Sequence, residues 1–91
     1  MTARQQWIEA EWLARGYKVV VEATISRLHE KRQRLATARE AAGTRYQLGE
    51  IERAEKEVAQ AEAQVLLAEK AEQAADETAE AAYLLARWRC D

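Results

Sequence analysis

Counting from Ile51 in alternating steps of three and four lands on Ala54, Val58, Ala61, Val65, Ala68, Glu72, Ala75, Ala79, Ala82 and Ala86, and ten of these eleven positions are apolar. The ladder runs through RAEKEVAQAEAQVLLAEKAEQAADETAEAA, residues 53–82, whose Ala/Glu-rich composition alone would suit a solvated, low-complexity tract. A disordered tract has no reason to hold one phase through five heptads. A helix with one face against a partner helix does. Every second rung from Ala54 to Ala82 is Ala, and such small residues let a partner backbone come close, which predicts an antiparallel pair.

The first half of the chain supplies a matching ladder: Trp7, Ala10, Ala14, Tyr17, Val21, Thr24, Leu28, Lys31, Leu35, Ala38 and Ala42, broken in its apolar character only by Thr24 and Lys31. It passes Gly16 without losing phase. A helical glycine costs about 1 kcal/mol relative to Ala, so a bend at Gly16 is an alternative, but a full break would not preserve the register. The 91 residues include no Pro and no Phe, three Gly and twenty Ala. Such a chain is built almost wholly from strong helix formers, and the one β-branched run, Val19–Val21, is too short to compete. The expected fold is all-α: a long antiparallel helical hairpin, coiled-coil-like with an Ala-rich seam, pairing into a four-helix bundle dimer.

The hairpin is a single helical domain over 1–91. Helix 1 covers about 2–42, the turn about 43–49, and helix 2 starts at 45 or 50 and reaches 89. Gly43 suits a left-handed residue closing helix 1, and Thr44 with Gln47 has the spacing of a capping box, as does Thr2 with Gln5. GTRYQLG, 43–49, is either a seven-residue loop or a tight turn followed by helix containing Gly49.

Folding at Gly43 places residue i near 87 − i. Residues 1–45 carry a balance of +4 and residues 46–91 one of −6, within a net charge of −2. In that register the basic segment RLHEKRQRLATAR, 27–39, faces Glu50, Glu52, Glu55 and Glu57. Each exposed pair contributes a few tenths of a kcal/mol, roughly, yet together they select the antiparallel register.

Apolar residues exceed what two helices can hide. Ile8, Trp12, Leu13, Val19, Val20 and Ile25 lie off the first seam, and Leu66, Leu67, Tyr83, Leu84, Leu85 and Trp88 lie off the second. Leu67, Ala71, Ala74, Thr78, Ala81, Leu85 and Trp88 form a second heptad stripe on another face. This surplus predicts a second copy in a four-helix bundle, a partner protein, or an N-terminal arm of residues 2–15 folded back at Gly16. The expected protein interface is Trp7, Ile8, Trp12, Leu13, Val20, Leu66, Leu67, Tyr83, Leu84, Leu85 and Trp88, Trp being a favoured interface anchor.

Catalytic patterns are missing. His29-Glu30 opens like a metalloprotease HExxH, but position 33 is Gln; the glycines of 43–49 are not followed by the GK[ST] of a phosphate loop. No catalytic, cofactor-binding or metal-binding residue is nominated, and no cofactor or small-molecule ligand is expected. No stretch is long enough without charge to cross a membrane, the N-terminus lacks a signal-peptide core, and the lone Cys90 leaves no internal disulfide, which together suit a cytoplasmic protein. Cys90 itself reads as a loose thiol near a frayed helix end. The expected function is non-enzymatic: an adaptor, assembly chaperone or inhibitor working by protein–protein contact, as a homodimer, on another protein, or both. The Arg- and Ala-rich composition suits a bacterial or phage origin, with inhibition of a bacterial defence or regulatory complex as a special case. The alternative is a hairpin dimer binding nucleic acid through Arg27, Lys31, Arg32, Arg34 and Arg39; an acidic chain with no aromatic residue in that run argues against it.

Overall fold

The computed structural model describes residues 2–41, 43 and 45–89, with the backbone alone at 45 and 46. Two helices make up the fold: α1, Ala3–Glu40, and α2, Arg45–Arg89, packed as an antiparallel hairpin. Helix α1 continues through Gly16, so the folded-back arm of residues 2–15 is not formed. Helix α2 starts at Arg45 and contains Gly49, so 43–49 is not a seven-residue loop. The expected cap at Thr44 and the rung at Ala42 lie outside the described residues, as does Cys90. The left-handed conformation expected of Gly43 involves the Ala42 peptide and falls with it.

At the start of α1 the capping box forms as its spacing predicts. The Thr2 N–H donates to Gln5 Oε1 at 3.0 Å, and the Gln5 N–H donates to Thr2 Oγ1 at 3.2 Å. Two amides that a helix start leaves without partners are thereby satisfied. At the other end the Ala41 N–H bonds the Thr37 carbonyl at 3.1 Å, closing the last turn just past Glu40.

Every described rung of both ladders is buried or half-buried, whereas nearly all other positions are exposed. The first ladder also extends one rung further, to a buried Ala3. The chain divides into two compact units, Met1–Val21 with Ala68–Asp91, and Glu22–Leu67. In the first, Ala14 packs with Ala75 and Ala79, flanked by Ala10 and Tyr17. In the second, Leu28 packs with Ala61 and Val65, flanked by Val58.

The second unit also carries the cross-helix ion pairs: Lys31 Nζ–Glu57 Oε2 at 3.4 Å, Arg32 Nη2–Glu62 Oε1 at 3.4 Å and Arg39 Nη2–Glu55 Oε1 at 3.6 Å. These partners add up to 88 to 94, not 87, so the register is displaced by a few residues from one folded symmetrically about Gly43, and Glu62 enters the acidic set. The reason lies in the seam. Leu28 packs in one buried cluster with Ala61 and Val65, and such seam packing sets the register more tightly than the centre of the turn.

Candidate interaction surface

A single layer of seam contacts cannot hide a large side chain completely. Among the described residues the least exposed, Ala61, retains 4% of its surface, and no large side chain is fully buried. Off the seam, Trp12 is 69% exposed, Leu13 62%, Leu67 67% and Trp88 82%. The chain presents 7153 Å² to solvent, against about 5,400 Å² for a compact monomer of its 10.4 kDa.

Within the first unit, the two sides of the seam differ in chemistry. On one side Glu9, Trp12, Leu13, Gly16, Tyr17 and Val20 line an open groove of about 640 Å³. Leu13 and Tyr17 also line an adjoining hollow with Ala10 and, from α2, Ala71, Ala74, Ala75 and Thr78. The two depressions therefore form one apolar face with a floor of small residues. Thr78 fits there because its hydroxyl donates to the Ala74 carbonyl at 2.9 Å, leaving its methyl to the surface. On the other side, Glu11, Arg15, Lys18, Asp76 and Glu80 surround Ala14 and Ala79, and Arg15 pairs with Glu11 at 3.7 Å.

Of the residues expected at the interface, Trp12, Leu13 and Val20 meet in the groove. Trp7 is half-buried in the seam, its ring 5.2 Å from Tyr83 and tilted by 60°, so it belongs as much to the hairpin as to any interface. Ile8, Tyr83, Leu84, Leu85 and Trp88 are exposed in the same unit, whereas Leu66 and Leu67 are exposed at the limit of the second. Gly16, Tyr17, Ala71, Ala74 and Thr78 complete the face without having been nominated. The signal for the α2 members was the second heptad stripe; small side chains simply do not announce themselves as interface residues.

The basic segment behaves differently. Lys31, Arg32 and Arg39 are engaged by Glu57, Glu62 and Glu55, while Arg27 and Arg34 have no carboxylate within ion-pair distance among the described residues. Among the described residues there is also no group of three or more His, Cys, Asp or Glu placed to hold a metal ion. No described helix is long and apolar enough to cross a membrane. Comparison with protein-family models, curated proteins and solved structures finds no match to this chain.

Proposed function

We propose that the chain is a non-enzymatic protein–protein interaction module that acts through the apolar surface of its first unit. The observation that carries this reading is the one-sidedness of that unit: Trp12, Leu13, Val20 and the Ala71–Thr78 floor on one side of the seam, charged residues on the other. Burying a large apolar side chain is worth roughly 1.5–3 kcal/mol, so the exposed Trp12, Leu13, Leu85 and Trp88 offer a partner several such gains. Adaptor, assembly chaperone and inhibitor all fit this chemistry. The nucleic-acid reading is weakened because three of its five cations already neutralise glutamates.

Trp88 is the anchor to test. A protein captured from the source cell, then purified, is expected to bind the wild-type chain directly and to bind Trp88→Lys at least about tenfold more weakly, as for an aromatic hot spot. Equal binding by both proteins, or no direct binding to any partner or second copy, would overturn the reading.

A further inference from the structure

Lettering the α1 seam as a and d, with Trp7, Ala14, Val21, Leu28 and Leu35 at a, puts Glu9, Gly16 and Ala23 at c and Leu13, Val20 and Arg27 at g. At 3.6 residues per turn, the c/g stripe lies about 110° around the helix from the seam. That is close to the right angle at which a helix in a four-helix bundle meets its second neighbour. On α2 the c/g positions from 67 onward are Leu67, Ala71, Ala74, Thr78, Ala81, Leu85 and Trp88. Leu13 lines one hollow with Ala71, Ala74 and Thr78, so both stripes open on the same side of the hairpin.

The α1 stripe reads Glu9, Leu13, Gly16, Val20, Ala23, Arg27, and it is complementary to itself when reversed. We infer that a second copy of the chain covers this face, with the two α1 helices antiparallel about a two-fold axis between Gly16 and Val20. The inference rests on the reading of this surface as protein-binding. Each Glu9 then faces the partner's Arg27, each Leu13 the partner's Ala23, and each Val20 fills the space over the partner's Gly16. Acid meets base and large meets small at every rung.

A parallel pairing would set Glu9 against Glu9, Leu13 against Leu13 and Arg27 against Arg27. Glu9 and Arg27 are exposed and form no ion pair within the chain among the described residues. A side chain at Gly16 would meet nothing within 4 Å, so the hairpin itself gives no reason for a glycine there.

The same axis organises α2. Residues of the first unit that face each other across the hairpin add up to about 90, as Trp7 and Tyr83 do, which sets the axis between Ala71 and Ala74. Those two alanines then face each other across the axis, and Leu67 faces the partner's Thr78. All neighbouring helices in the resulting bundle are antiparallel.

The test combines charge exchange with cross-linking. Glu9→Arg and Arg27→Glu, each alone, turn two attractive pairs into two repulsive ones and are expected to weaken the dimer roughly five- to thirty-fold by sedimentation equilibrium. The double variant Glu9→Arg/Arg27→Glu restores both pairs and should recover to within about threefold of wild type. In a Cys90→Ser background, mild oxidation of a mixture of Leu13→Cys and Ala23→Cys chains should give the mixed disulfide, and neither variant alone should cross-link. Self-cross-linking of Leu13→Cys, a double variant weaker than either single one, or a monomer at the highest soluble concentration would each overturn the inference. A monomer whose captured partner is still lost on Trp88→Lys would overturn the antiparallel dimer and leave the proposed function standing. A dimer that behaves as expected while Trp88→Lys changes no other binding would support the dimer and confine the function to self-association.

Discussion

Gly16 and Gly49 are chemically identical and sit in helix interiors, yet they carry different meanings. A Cβ added at either would find nothing within 4 Å, so neither is required by close packing inside the hairpin. Each costs its helix roughly 0.5–1 kcal/mol of backbone entropy relative to Ala. Gly49→Ala is therefore expected to raise the unfolding free energy by about that amount, read as a higher denaturant midpoint at unchanged slope. Gly16 lies in the apolar groove with Trp12, Leu13 and Val20. There a side chain gains the same helix propensity but fills the space that the inferred dimer gives to Val20 of the second copy. A bulkier Gly16→Met should leave the hairpin folded and weaken self-association by about tenfold or more, as overpacking does. Equal association of Gly16→Met and wild type would remove Gly16 from the interface.

The helices themselves were largely legible, because alternation of three and four over five heptads has no other cheap explanation, and each described rung from Trp7 to Ala38 and from Ile51 to Ala86 is withdrawn from solvent. The cap at Thr2 was legible for the same reason: a fixed spacing serves one geometry. The register was not. It depends on Leu28 packing with Ala61 and Val65, a pairing that no spacing within one helix encodes. The shared face of Leu13, Ala71, Ala74 and Thr78 was only half visible, since periodicity gives a stripe on each helix without saying that the two open on the same side.

The seams also differ in substance between the units. Among the described residues, the second has a buried cluster of Leu28, Ala61 and Val65 together with three cross-helix ion pairs, and the first has one of Ala14, Ala75 and Ala79, with Tyr17 packed against it and Trp7 against Tyr83. The first unit's buried cluster is made of alanines, which bury less area than Leu28 and Val65 of the second, so its local opening should cost less free energy. At low protein concentration the amides of 54–66 should exchange with solvent more slowly than those of 71–84. Raising the concentration should slow exchange at 71–84 most, because that segment floors the apolar face. Uniform protection at every concentration would show that the first unit is complete without a partner.

Taken whole, the chain combines 91 residues, one layer of seam contacts and a surface about a third larger than a compact monomer of its mass. Small domains are marginal even when they bury their apolar residues well. Among the described residues thirteen large apolar side chains, Trp12, Leu67 and Trp88 included, stay more than a third exposed, so stability and association should be coupled. If folding is completed by a second copy, unfolding converts one dimer into two chains and its midpoint depends on concentration. A tenfold dilution then removes about 1.4 kcal/mol per dimer. Spread over a two-chain unit of about 180 residues, that lowers the melting temperature by roughly 3–6 °C. A chain stable by itself would show no shift at all. Following the helical circular dichroism signal through melts at three concentrations spanning a hundredfold range distinguishes the two: a fall of about 3–6 °C per decade places part of the folding free energy in the second copy, whereas superimposable curves would leave the apolar face to a different protein.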